Sequence, residues 1–212
     1  MRTSGLRSAK GGSAAAIVNN VPFVHEANGD FTIDVILALV RRIVTADKGT
    51  REGRWNGRAE YIGVGLTGRT PGLLGFGRAA RAVAQRATGF GCEVLAYSRN
   101  PDREVAERLG VELIEFQDLV RRSGLLSIHV TLTDQTRGIM GREQIHAMKP
   151  GACLINTSRG AVLDEEALVD ALRSGHLSAP AVDDMLLYFN GKRPGHVVNP
   201  DVLAHQRFHH LR

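Results

Sequence analysis

Pro71-Gly-Leu-Leu-Gly-Phe-Gly-Arg-Ala-Ala80 is the stretch that decides the fold of this chain. A short apolar run enters a glycine-rich turn, and the turn opens a helix. Gly75, Gly77 and Ala80 fill a G-x-G-x-x-G/A pattern in which each small residue has a physical task. The first makes the tight turn, the second lets backbone approach a pyrophosphate, and the third lets the helix pack closely on the strand. The helix start then presents unpaired N–H groups and partial positive charge to phosphates. The flanks agree with this reading. Leu73 and Leu74 precede the turn; Ala79, Ala80, Val83, Ala84 and Ala87 form one apolar stripe behind it, opposite Arg78, Arg81, Gln85 and Arg86. A tightened turn that binds nothing is the alternative, and the order of strand, turn and helix weighs against it.

Outward from this turn, strands and helices alternate. Strands are expected at Thr70–Gly75, Glu93–Ser98, Val111–Phe116, Leu125–Val130, Ala152–Thr157 and Ala179–Asp184, with short helices at Asp102–Leu109, Gln117–Ser123 and Arg142–Met148. Asp164 caps a further helix whose first turn holds Glu165 and Glu166, favourable to its dipole. The nearly all-apolar fourth strand suits a parallel strand covered on both faces. The pattern predicts an α/β fold, a Rossmann-type doubly wound parallel sheet of about six strands. Before it, Asp30–Ala46 has helical period and a wide apolar face, giving an N-terminal helical arm; after it, Tyr188–Arg212 is an irregular tail that would dock or fray.

The composition is that of a globular protein able to bury one good core: 212 residues, 43% hydrophobic and 23% charged. The formal net charge of +5 comes from arginines spread along the chain, which suits anionic ligands such as nucleotides. No nucleic-acid signature accompanies it. The apolar run Val35–Val40 is too short to cross a bilayer. Cys92 and Cys153 read as buried reduced thiols, in keeping with a cytoplasmic protein. Met1–Asn20 faintly resembles a transit peptide but lacks an amphipathic stripe, so it reads as a loose start. The tail histidines His205, His209 and His210 have no carboxylate partner in pattern, and no metal site is expected.

The end of the second strand bears on cofactor choice. A carboxylate there usually holds a ribose 2′-hydroxyl, but this chain has Ser98 and Arg99. Serine can donate to a 2′-phosphate and arginine can grip one bidentately, so NADP(H) is favoured over NAD(H). A solvated arginine beside NAD is the alternative.

Three longer segments resemble the D-isomer-specific 2-hydroxyacid dehydrogenases, the family of phosphoglycerate dehydrogenase and glyoxylate/hydroxypyruvate reductases. Leu66-Thr-Gly-Arg-Thr-Pro-Gly-Leu-Leu-Gly-Phe-Gly-Arg78 resembles that family's entry to the cofactor turn. Ser127-Ile-His-Val-Thr-Leu-Thr-Asp-Gln-Thr136 resembles its H-x-P-L-T-x-x-T segment, with Thr131 in place of proline, and Ile155-Asn-Thr-Ser-Arg-Gly-Ala-Val-Leu-Asp164 resembles its I-N-x-x-R-G-x-x-x-D signature. The resemblance implies hydride transfer between a nicotinamide cofactor and a small 2-keto/2-hydroxy acid, and a homodimer formed through residues 30–55. It implies that Arg159 is catalytic, binding the substrate's carboxylate and carbonyl. To the cofactor contacts read from the turn (Gly75, Phe76, Gly77, Arg78 and Ala79) and from the strand end (Ser98 and Arg99), the resemblance adds Thr157 and Ser158, and Asp183 near the nicotinamide.

Two expected groups do not follow. Where the family has D-V-F-x-x-E-P, this chain reads Asp183-Asp-Met-Leu-Leu-Tyr-Phe189, with Tyr188 at the glutamate position, and no later segment resembles the histidine-bearing T-P-H motif. An internal deletion joining the sixth strand to the tail accounts for both. The expected organisation is a substrate-domain remnant and linker at 1–26, a dinucleotide-binding domain at 27–185 and a tail at 186–212, a chain truncated at both ends. The competing reading is a dinucleotide-binding module that does not turn over.

Overall fold

The computed structural model describes residues 24–55 and 61–182. Two helices, α1 (Val24–Val40) and α2 (Ile43–Arg51), lead into the alternating part. There β1 (Pro71–Leu74), α3 (Arg78–Gly89), β2 (Val94–Tyr97), α4 (Arg103–Arg108), β3 (Val111–Leu113), α5 (Phe116–Arg122), β4 (Leu125–Ile128), α6 (Arg142–Ala147) and β5 (Ala152–Asn156) follow one another. A single 3₁₀ turn at Gly160–Val162, α7 (Glu165–Arg173) and β6 (Leu177–Val182) complete it.

The strands form one six-stranded sheet in the order β3-β2-β1-β4-β5-β6, and every pairing is parallel. The chain starts in the middle, runs to one edge, then returns to the centre and runs to the other. The order reverses between β1 and β4, and in open α/β sheets the crevice at the carboxyl end of such a reversal receives ligands.

Strand periodicity explains how both faces are buried. Leu73, Val94, Ala96, Leu125, Cys153 and Ile155 point into one core, shared with α1 and α3. Their neighbours Leu74, Leu95, Leu126, Ile128 and Leu154 point into the other, shared with α5, α6 and α7. A step of one residue switches the face, so the continuous apolar runs in the sequence serve two cores at once. Each large side chain removed from water here contributes about 1.5–3 kcal/mol. α3 lies close because its inner face is alanine: Ala80, Ala84 and Ala87 are almost wholly buried.

Sequence and structure differ at several element ends. The arm helix does not run unbroken from Asp30 to Ala46. It is already helical at Val24, stops at Val40, and restarts as α2 after Arg42, whose φ of 54° is left-handed. The cause lies outside the helix: the Val64 N–H donates to the Val40 carbonyl at 2.7 Å, taking the acceptor that a continuing helix would use. The apolar residues beyond the break, Ile43 and Val44, are exposed. The third strand is shorter than expected because Glu115 becomes a helix cap and Phe116 opens α5, its ring 5.5 Å from that of Tyr97. The cap at Asp164 forms as the sequence suggests, accepting from the Ala167 N–H, whereas Asp102, expected as the first helical residue, is instead the cap of α4 and accepts from the Val105 N–H. The expected tail, Asp183 and Tyr188 lie outside the described residues.

Candidate functional site

Two clefts open side by side at the carboxyl edge of the sheet. The first, about 450 Å³, is lined by Gly75, Phe76 and Gly77 below, Tyr97, Ser98, Arg99 and Asn100 on one side, and residues from His129 to Ile139 on the other. The second, about 410 Å³, is lined by His25, Asn28, Ala79, Thr157, Ser158 and Arg159. Both share His129, Val130 and Thr131, so they are two chambers of one groove crossing the reversal point.

The floor of the first chamber is backbone. Gly75 has φ of +100°, and a Cβ there would sit 2.7 Å from the carbonyl oxygen of His129. The ends of the parallel neighbours β1 and β4 therefore touch at main-chain distance, held by donation from the His129 N–H to Leu74 O at 2.7 Å, while the Gly75 N–H donates to Tyr97 O at the end of β2 at 2.8 Å. No L-side chain fits that position. At Gly77, which caps α3, a Cβ would meet nothing within 4 Å. The space is open above the free N–H groups of the helix start, the cradle a pyrophosphate requires. Among the described residues no carboxylate lines this chamber, and the one permanent charge is Arg99, which donates to the Gln135 side-chain oxygen.

The second chamber is built from side chains. The buried Asn156 at the end of β5 organises its rim: its Nδ2 donates to the Arg159 carbonyl at 2.9 Å, and its Oδ1 accepts from the Ser158 N–H at 3.0 Å and the Ser158 hydroxyl at 2.7 Å. Arg159 thus leaves the sheet from a fixed turn, with extended backbone and an exposed guanidinium that donates to Ser158 O. A planar fork of donors in this place suits a carboxylate. From the other side α1 brings His25 and Asn28, and its Thr32 hydroxyl lies 3.3 Å from that of Thr157, both residues buried. The Oδ1 of Asn28 is enclosed and has no hydrogen-bond partner among the described residues.

The ridge between the chambers is polar and rigid. Thr136 Oγ1 donates to Thr131 O at 2.7 Å and accepts from the Thr133 N–H at 2.8 Å, tying the loop after β4 into a knot. His129 stands just past the end of β4, not within it as the sequence suggests, with Nε2 2.9 Å from the Ser127 hydroxyl. Removal of the imidazole from water lowers its pKa to about 4, so the ring is neutral at physiological pH.

The expected site residues are thus divided by the structure. Gly75, Phe76, Gly77, Ser98 and Arg99 come together in the first chamber; Ala79, Thr157, Ser158 and Arg159 come together in the second. Arg78 lines neither. Its guanidinium turns to a groove between α1, α3 and α4, with Nη1 3.5 Å from His25 Nε2. Asp183 falls outside the described residues. His25, Asn28 and Asn156 were missed as site residues, since nothing in the spacing of an N-terminal helix marks which of its turns will meet a strand end. The threonine-rich loop did carry a signal, three threonines within six residues after an apolar strand. Among the described residues, no group of three or more histidines, cysteines or acids could hold a metal ion, and no helix is long and apolar enough to cross a membrane.

Comparison with known proteins adds to this geometry. Residues 33–186 match the sequence profile described as "D-isomer specific 2-hydroxyacid dehydrogenase, NAD binding domain". The chain is similar to a glyoxylate reductase of Thermococcus litoralis, 41% identical over 174 residues, covering 78% of this chain and 52% of that protein. It is also similar to a D-3-phosphoglycerate dehydrogenase of Methanocaldococcus jannaschii, 38% identical over 169 residues, covering 79% of this chain and 32% of the other. Among solved structures, a glyoxylate reductase from Paecilomyes thermophila superposes with a TM-score of 0.71 at 33% identity, over 77% of this chain and 49% of that one. The chain spans about half the length of the glyoxylate reductases it matches.

Proposed function

The chain belongs to the D-isomer-specific 2-hydroxyacid dehydrogenase family, whose NAD-binding domain it carries, and we propose that it binds NADP(H) in preference to NAD(H) and serves hydride transfer to a small 2-keto acid. The observation that carries this reading is the continuous groove: a phosphate cradle at Gly75–Gly77, a basic end at Arg99 and a carboxylate-binding end at Arg159, joined through His129–Thr131. That order of charges fits a dinucleotide with a small anion beside its reactive end. Residues 27–185 are the dinucleotide-binding unit on this reading.

A bound nicotinamide supplies or accepts the hydride. The chain's own residues do the rest. The α3 N-terminus neutralises phosphate charge, and Ser98 and Arg99 supply donors for a 2′-phosphate where an acid would repel it. Arg159 fixes a keto acid by its carboxylate, and Asn156 keeps that arginine from wandering, since a misplaced guanidinium cannot orient the carbonyl. Asp183 is proposed as a further contact near the nicotinamide.

The exposed apolar side chains of Ile43, Val44 and Trp55 support a homodimer through residues 30–55. The free, buried Cys92 and Cys153 support a reducing, cytoplasmic location. A second reading, a dinucleotide-binding module without turnover, is favoured by Tyr188 at the glutamate position of the family's pattern. Fluorescence quenching or thermal shift with NADPH and NADH in parallel tests the cofactor assignment: tighter NADPH binding is expected, and a clear NADH preference refutes it. Oxidation of NADPH on adding glyoxylate, above the level of an Arg159→Ala control, eliminates the second reading.

A further inference from the structure

Arg99 is the basic end of the first chamber, and it has two ways to turn. The chamber lies on one side of it. On the other is a hollow of about 230 Å³, which it lines together with Ser98, Pro101, Arg103 and Glu115. Among the described residues Glu115 is the one carboxylate of that hollow, and an arginine paired with it is already neutralised when a phosphate arrives. Arg99 turns the other way. Its Nη1 donates to the side-chain oxygen of Gln135, on the facing wall of the chamber.

Gln135 is set in a stiff part of that wall. The turn from Thr133 to Thr136 closes around it, the Thr136 N–H donating to Thr133 O at 3.1 Å and the Thr133 N–H to Thr136 Oγ1 at 2.8 Å. Its amide is also neutral. It fixes the guanidinium without cancelling the charge, and it occupies one of five N–H donors. The rest of the fork is left for a ligand. The acidic neighbour, Asp134, lines neither the chamber nor the hollow.

We propose that Gln135 is a positioning residue that sets cofactor choice. It holds Arg99 over the first chamber, away from Glu115, as a charged and uncompensated donor for the 2′-phosphate of NADP(H). The proposal rests on the cofactor reading above and deepens it. A glutamate has the same shape and would reach the same guanidinium, but it would neutralise that group and repel a phosphate. Holding the arginine beforehand also removes part of the ordering cost of binding. NADH carries a hydroxyl in place of that phosphate and gains little from either effect.

The experiment is quenching titration of the full chain with NADPH and with NADH. It compares wild type, Gln135→Glu, Gln135→Ala, Arg99→Ala and the double variant Gln135→Ala/Arg99→Ala. Gln135→Glu is expected to weaken NADPH about tenfold and Gln135→Ala about threefold, each leaving NADH within about twofold of wild type. In the Arg99→Ala background, Gln135→Ala is expected to cost nothing further, because the group it positions is gone. A wild-type ratio of NADPH to NADH affinity in Gln135→Glu overturns the proposal. So does an equal loss of both cofactors, the mark of a merely structural role, or a full Gln135→Ala loss in the absence of Arg99. A wild-type chain with no NADPH preference instead overturns the cofactor reading, and this one with it.

Discussion

The two chambers of the groove are made in opposite ways. The first is main chain against main chain: Gly75 pressed on the His129 carbonyl, with open space over Gly77. The second is side chain upon side chain, with Asn156 holding Arg159 and Thr32 reaching across from α1 to Thr157. A backbone-built wall recognises a chemical group common to many ligands, phosphate, and tolerates little change in its own sequence. A side-chain wall can be re-specified residue by residue. On the proposed reading, the generic half and the particular half of recognition are physically separate in this chain.

The sharpest way to break the comparison is at its most rigid point. Gly75→Val forces a branched side chain to φ of +100° and into a carbonyl. It is expected to cost about 3 kcal/mol or more, read as a lower urea midpoint, together with loss of NADPH binding. A well-folded variant that still bound NADPH would show the contact to be incidental. Arg159→Ala should do the reverse, leaving NADPH affinity and stability near wild type while glyoxylate reduction falls about 100-fold or more. If NADPH binding fell equally, the chambers would not be separate.

The ridge between them has its own signature. His129 binds its proton more weakly folded than unfolded, so the unfolded chain takes up protons first as pH falls. The stability contributed by the neutral ring is whole above pH about 6.5 and is lost as pH falls through about 4, by about 3 kcal/mol in all. His129→Gln should flatten that part of the urea-midpoint profile; an unchanged profile would mean the ring titrates normally. The smallest expected effect is at the basic end. Arg99→Ala should weaken NADPH about tenfold and leave NADH nearly untouched, measured by quenching titration.

The same contrast explains what the sequence could disclose. The sheet was legible because each strand's apolar run, and the cap at Asp164, is a local fact with a local cause. The phosphate turn was legible because glycine is there for a conformation only glycine takes. Arg159 could be found through its signature, but Asn156 beneath it reads as one more polar residue at a strand end. The roles of His25, Asn28 and Thr32 depend on how α1 lies across α3, which no period in the helix records. The helix break at Arg41 was hidden for a related reason, since its cause is the N–H of Val64, more than twenty residues away.

The attachment of α1 has a further consequence, for the order in which the molecule comes apart. α1 precedes the sheet in sequence and adds no strand to it. It is fastened to α3 by Glu26 and Asp30 on Arg86, at 3.0 and 2.6 Å, and by Gly29 against Ala82. The six strands keep all their pairings if it lifts away. Local opening of this helix, an event with its own free energy below that of global unfolding, would dismantle one chamber while sparing the other. Amides along α1 should therefore exchange with solvent sooner than those of β1 and β4. With α1 lifted, the turn at Gly75–Gly77 would keep its shape while Arg159 faced solvent on the side that His25 and Asn28 otherwise close.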